Sequence, residues 1–361
     1  MTDQQKPASR RAFIAKAAAL GVSAPLGLAA GKVFAVPRAP LDPTTFPICR
    51  AAVDGSPIPK EDLKKVTFAW NAGAPCLLAV TVAKDKGFFA RHGLDVDLVN
   101  YAGSTDQLLE TLATGKADAA VGMALRWLKP MEQGFDVKIV ASLHGGCMRL
   151  LVPANAGINE VADLKGKIIG VSDMNSPSKN FFSIIIKKAG LDPNVDVEFK
   201  QFPGPLLPIA IDKGEAHALA DGDPNTYLWL KDGKLKELTS NLAGEYATRT
   251  CCIVGVRGSL LRDERSTAAS IALALLDAAE FAARNPAEAA ATYVPFTAGK
   301  VPLEDLVALA KYHTHHHHPI GADLKKELAL YAEELKLVSI FKPSLDTAKY
   351  AERIYADVLS G

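Results

Sequence analysis

The chain has 361 residues, 48% hydrophobic and 22% charged, with a formal net charge of +1 at neutral pH. This balance lacks the basic excess of a nucleic-acid-binding surface, so no nucleic-acid partner is expected. Beyond residue 35 the sequence reads as having no apolar run long enough to span a bilayer. The length exceeds one usual hydrophobic core, so two lobes are expected.

In chain order, Ser9-Arg10-Arg11-Ala12-Phe13-Ile14 precedes a mildly apolar Ala/Gly/Leu segment ending in Val33-Phe34-Ala35. Paired arginines, a weak hydrophobic region and small residues before the cut read as a twin-arginine export signal over residues 1–35. An ordinary Sec signal is the alternative, and either one delivers the mature protein to the periplasm. Residues 36–65 carry Pro37, Pro40, Pro43, Pro47, Pro57 and Pro59 and read as a linker or arm.

Val66–Trp70 is a β-rich run that breaks at Asn71–Pro75. A helix-period segment follows (Leu77, Leu78, Val80, Val82, Phe88, Phe89) and stops at Gly93, after which Asp95–Val99 alternates with period two. This β-α-β unit puts a polar loop at the carboxyl end of a strand, where open α/β sheets bind ligands. The pattern then echoes itself. Gly115-Lys116-Ala117-Asp118-Ala119 closes the first copy. A second runs from the strand Lys167–Val171 through Gly190-Leu191 to Gly214-Glu215-Ala216-His217-Ala218. Two copies mean two related lobes rather than a solenoid.

Val137–Val152, interrupted by Gly145-Gly146, and Thr250–Val256 read as the two crossings between lobes, the hinge that closure requires. The remainder is helical, over Ser266–Arg284, Pro286–Tyr293, Leu303–Tyr312, Ala322–Leu335 and Leu345–Leu359. The expected organisation is α/β, with 66–143 plus 251–361 as one lobe and 144–250 as the other.

Specific strings carry a family resemblance. They are Ala83-Lys84-Asp85-Lys86-Gly87-Phe88-Phe89, Gly93-Leu94-Asp95-Val96, Gly115-Lys116-Ala117-Asp118-Ala119, Leu151-Val152-Pro153 and Val161-Ala162-Asp163-Leu164-Lys165-Gly166-Lys167-Ile168-Ile169-Gly170-Val171. In this order they resemble the periplasmic solute-binding proteins of ABC importers of the nitrate/sulfonate/taurine type. That family has a two-lobed type II periplasmic binding fold and is related to the pyrimidine synthases of thiamin biosynthesis. The resemblance implies a ligand held between the lobes by Trp70, Asn71, Cys76, Ser104, Thr105, Met123 and Arg126 from one side. Cys147, Ser172, Asn175, Ser176 and Asp223 would meet it from the other. Each has a plainer reading: Ser104 and Ser176 as N-caps, Trp70 as a packed strand residue, Arg126 as an ion-pair partner. Asp221-Gly222-Asp223-Pro224 stands where many members carry a Glu-Pro motif, and two acids there suit a cationic group or a metal better than a bare anion.

Five cysteines (Cys49, Cys76, Cys147, Cys251, Cys252) leave at least one unpaired. In a strand, Cys251 and Cys252 would face opposite sides. His313-Thr314-His315-His316-His317-His318 is an embedded imidazole run able to bind Zn or Cu through His313, His315, His316, His317 and His318, with His144 and Cys147 as recruits. A solvated loop and a packed structural loop are its other readings, and no other cofactor is expected. The resemblance implies a monomeric, non-catalytic receptor for a small polar solute, working with an inner-membrane ABC permease and its cytoplasmic ATPase. A metal or metal-chelate binding protein and a pyrimidine synthase-like enzyme are the alternatives.

Overall fold

A computed structural model describes residues 59–101 and 105–360. The signal segment, most of the arm, Cys49 and Ser104 lie outside the described residues.

One five-stranded sheet has the order β2-β1-β3-β10-β4, built from β1 (Lys64–Trp70), β2 (Leu94–Asn100), β3 (Ala119–Met123), β4 (Val137–His144) and β10 (Cys252–Arg257). The second has the order β7-β6-β8-β5-β9, from β5 (Met148–Pro153), β6 (Ile168–Val171), β7 (Glu198–Gln201), β8 (Ala218–Gly222) and β9 (Leu235–Ser240). In each sheet three parallel strands are followed by an antiparallel one, β10 in the first and β5 in the second. The chain therefore leaves the first sheet through residues 145–147 and returns through residues 241–251. The architecture is α/β and two-lobed, as expected.

The central strands are apolar because helices cover both faces. Phe68, Ala69, Ala119, Ala120, Val121, Ile253 and Val254 are fully enclosed in the first sheet, and Ile169, Val171, Ala218 and Ala220 in the second. Strand β9 is not among the strands the sequence pattern predicts. Four of its six residues are only half-buried, so no clean alternation marks it. The predicted helix after Asn71 is two pieces, Leu78–Asp85 and Phe88–Arg91, because Gly87 turns the chain at φ +75°.

The C-terminal helices are Arg265–Arg284, Pro286–Tyr293, Leu303–Tyr312, Gly321–Leu337 and Thr347–Ile354. The last ends earlier than its periodicity suggests, since Tyr355 turns extended and bridges to Ile139 of β4. Arg265–Arg284 is long and apolar enough to cross a membrane by length and composition, which corrects the sequence expectation. Here Ala268, Ile271, Ala272, Leu275 and Ala279 pack fully inside the protein, so its apolarity serves the core.

Candidate functional site

The loops at the carboxyl ends of the central strands from the two sheets meet across the crossings. After β1, the Ala72 amide donates to Asn100 Oδ1 at 2.9 Å and the Gly73 amide donates to Asn71 Oδ1 at 2.7 Å. Asn71 is thus a turn residue. Trp70 is a wall of the core, packed edge-on against Tyr293 and Phe296. Thr105 opens the helix Thr105–Ala113, and Ser176 caps Pro177–Lys188 by accepting from the Lys179 amide at 3.1 Å. Asn175 is exposed, and its amide donates to Asp173. Ser172 bonds to Asp221, whose carboxyl is pushed above the usual range by burial.

Arg126 and Asp223 are both consumed by partners. Arg126 Nε donates to Asp106 at 2.6 Å, and its Nη2 bonds to Asp106 as well as to Asp173 at 2.8 Å. Asp106 lies on the first half and Asp173 in the loop after β6, so this guanidinium latches one half to the other. Asp223 is met by Arg149 (2.9 Å), His313 Nε2 (2.9 Å), the Thr226 hydroxyl (2.6 Å) and the Tyr227 amide (3.1 Å). Burial opposes its ionisation, but the His313 bond and the His313 and Arg149 charges hold the carboxyl below the usual range. The expectation that this acid awaits a ligand is corrected: its charge is already matched. Arg149 was missed in the sequence, although an arginine inside the apolar strand Met148–Pro153 signals a buried counter-charge.

The densest chemistry lies where the chain crosses. Cys252, first in β10, sits in register with Met123 of β3 on one side and His144 of β4 on the other. Cys76, on the turn Pro75–Leu77 after β1, reaches the same point. One ligand atom from each of Cys76, His144 and Cys252 lies within 4.8 Å of the other two. Cys147 Sγ is 3.7 Å from Cys251 Sγ, and the Cys76 thiol contacts those of Cys147 and Cys252. Cys251 and Cys252 therefore enter one cluster. Alternation fails because β10 begins only at Cys252, leaving Cys251 in the irregular crossing.

These thiols are buried and unoxidised. Bonds from Cys147 and Cys252 hold Cys76 and Cys251 well below the usual thiol range, while the donors Cys147 and Cys252 are pushed well above it. Asn241, also missed in the sequence, ties the crossings together: its Oδ1 accepts from the amides of Cys147 (2.9 Å) and Met148 (2.7 Å). Met123, Met148, Thr250 and Tyr331 line the space beside Cys251.

The histidine run divides. His313 and His315 turn inward and stack near His144, with ring centroids 6.2 and 5.6 Å from it. Burial holds His315 well below the usual imidazole range, and the neighbouring His144 and His313 add to this. His316, His317 and His318 instead line a surface pocket with Arg249, Asp323 and Glu327, where His317 bonds to Glu327 at 3.1 Å. The five imidazoles do not converge on one point, because His313 and His315 pack inward against the crossing while the next three residues of the loop turn to the surface.

A separate cavity of about 470 Å³ opens between the halves. Asp106, Arg126 and Lys129 line it from the first half, and Asn175, Lys179 and Asn180 from the second. Burial lowers the pKa of Lys179, and Arg126 Nη1 lacks a hydrogen-bond partner.

A family model described as NMT1/THI5 like matches residues 75–289, well over half of the chain. The chain belongs to this NMT1/THI5-like family. The resemblance read from the Gly-Phe-Phe and Ala-Asp-Leu-Lys-Gly-Lys strings is borne out. This NMT1/THI5-like chain is 32% identical over 109 residues to a 4-amino-5-hydroxymethyl-2-methylpyrimidine phosphate synthase of Saccharomyces cerevisiae. That match takes in 29% of this chain and 32% of the yeast enzyme, so it spans about a third of the length of such curated relatives. Among solved structures, the aliphatic sulphonate binding protein SsuA of Escherichia coli superimposes with a TM-score of 0.67 at 16% identity, covering 81% of this chain and 92% of that one. The nitrate-binding protein NrtA of Synechocystis PCC 6803 gives 0.66 at 14% identity, covering 81% and 86%. At these identities the likeness is one of fold.

Proposed function

We propose that this chain is the periplasmic solute-binding component of an ABC importer, taking a small polar solute between its lobes and handing it to a membrane permease without catalysis. The observation that carries this reading is the interlobe cavity, lined from both halves and supplied with Arg126 and Lys179. A solute seated there touches both halves only when they are closed, so its binding energy favours closure. The Lys179 ammonium, with the one Arg126 donor, Nη1, that Asp106 and Asp173 leave unbonded, suits an oxyanion such as a sulfonate or nitrate. The twin-arginine segment supports export, and the solved receptors of the same fold support the transport role.

The test is a thermal-shift and calorimetric panel of taurine, alkanesulfonates and nitrate on mature protein, with and without chelator. One solute raising the melting temperature by several degrees regardless of chelator supports the receptor. Lys179→Ala should then lower that affinity about tenfold or more, the loss of one charge-assisted contact. Turnover of pyridoxal phosphate to a pyrimidine, with no solute-dependent shift, would instead favour a synthase.

A further inference from the structure

The cavity does not use the thiols and imidazoles at the crossings. We propose that Cys76, His144 and Cys252 form a binding site for one soft d10 metal ion, Zn(II) or Cu(I), that pins the two crossings to the loop after β1.

Geometry carries the proposal. A tetrahedral ion with metal–sulfur bonds of about 2.3 Å needs its donors roughly 3.8 Å apart. The donor atoms of Cys76, His144 and Cys252 are mutually within 4.8 Å, a spacing that small rotamer changes close onto an ion. Cys147 lies beside this group rather than in it, with its sulfur 3.7 Å from that of Cys251. Cys251 is the outer neighbour, because its sulfur already faces Asn241 Nδ2 at 3.7 Å.

An independent observation points the same way. Neither residue exposes surface, both ring nitrogens of His315 are buried without a hydrogen-bond partner, and the ring nitrogens of His144 have only the Cys76 thiol and the Gly145 backbone nearby, with no well-formed hydrogen bond. Buried polar atoms are almost always paired, so imidazoles held this way beside two thiols mark an unfilled requirement. A metal bond to His144 answers it directly. His315 then packs over the site as its lid, anchored where the Gly145 amide donates to the Thr314 carbonyl at 3.3 Å.

The donor set selects the metal class. Two thiolates and one imidazole, shut away from water, favour soft or borderline ions and disfavour Mg(II) and Ca(II), which demand oxygen ligands. The ligands also have a mechanical consequence. His144 ends β4 where the outgoing crossing begins, Cys252 lies where the returning crossing enters β10, and Cys76 is on the turn after β1. An ion held by all three ties both crossings to the first half.

The site is separate from the solute cavity, so the two readings fail separately. Mature full-length protein, purified under reducing anaerobic conditions, is loaded with Zn(II), with Cu(I), or with Co(II) as a spectroscopic stand-in, then desalted. The expected result is one ion per chain, with Co(II) giving the intense visible bands of a tetrahedral site and a thiolate charge-transfer band. Cys76→Ser, Cys252→Ser and His144→Ala should each weaken retention against a chromophoric chelator by at least tenfold. The double variant His316→Ala/His318→Ala should leave it unchanged. Failure of the wild-type protein to retain any ion while its thiols titrate as free overturns the proposal, and that readout needs no variant to fold. Retention abolished by the surface histidine pair and untouched by Cys76→Ser overturns it as well. A solute-induced thermal shift that persists in metal-free protein would keep the receptor reading whichever way the metal result falls.

Discussion

At the scale of single residues, Asp223 shows how a cleft acid becomes a structural one. Its side chain is fully enclosed and that of Arg149 nearly so, and the carboxylate answers the guanidinium and the His313 Nε2, which would otherwise be stranded. Asp223→Ala removes the counter-charge and leaves both partners buried, which should cost about 3–5 kcal/mol in urea unfolding. The pH dependence follows from the sign of the shift. A carboxyl lowered in the folded state contributes stability that is fully present above the unfolded value of about 3.9, and is lost as pH falls through the lower folded value. Asp223→Asn should therefore flatten the acid limb of the stability profile below about pH 4. The residue types that mattered were visible in the sequence. Their pairings were not, because Arg149, Asp223 and His313 are far apart along the chain and meet only through packing.

At the scale of elements, Gly145-Gly146 sits at the hinge for a reason the sequence did not display. Neither glycine needs a left-handed backbone; both are needed for close approach. A Cβ on Gly146 would lie 2.1 Å from the Asn241 carbonyl oxygen, and one on Gly145 would lie 1.9 Å from Thr314 Oγ1. The outgoing crossing is pressed between the returning crossing and the histidine loop. Gly146→Ala must push backbone away from backbone and should cost at least about 1–3 kcal/mol in thermal or urea unfolding. It should also disturb the thiol cluster, since Asn241 orients Cys147 and Met148. A comparable strain is expected at Gly122, where a Cβ would meet the Trp127 indole at 2.1 Å. The strands and helices themselves were largely legible, because Ala/Leu periodicity and the repeated Gly-x-Ala endings report burial directly. Half-buried β9 was not.

At the scale of the whole molecule, polar contacts join the halves at several points, with Glu334 of the first half meeting Lys188 at 2.7 Å and Tyr246 at 2.8 Å. They include Arg126 to Asp173 (2.8 Å), the Asn180 amide to the Leu125 carbonyl (3.1 Å) and Lys231 on the second half to Asp305 on the helix Leu303–Tyr312 (2.8 Å). Asp173 is partly exposed, so its pair with Arg126 is screened and modest. Asp173→Ala should shift the closed-to-open ratio by about fivefold, equivalent to about 1 kcal/mol. Small-angle scattering would register this as a larger radius of gyration without ligand, with little loss in melting temperature. Moderate salt should reproduce part of the effect in the unmodified protein.

The sequence by itself determined the class of fold, through local periodicity and a β-α-β pattern repeated in order, signals that survive in one dimension. It set the returning crossing at Thr250–Val256, but Cys252–Arg257 is strand β10 and the chain returns through residues 241–251. It also marked Cys76, Cys147, Cys251, Cys252, His144 and the histidine run as unusual chemistry. Only the tertiary structure decided which of them meet. Cys76 and Cys252 are separated by most of two lobes along the chain, and they become neighbours because β1, β3, β10 and β4 lie side by side in one sheet. The histidine run divides for the same reason: its inward residues are chosen by the crossing against which the loop packs.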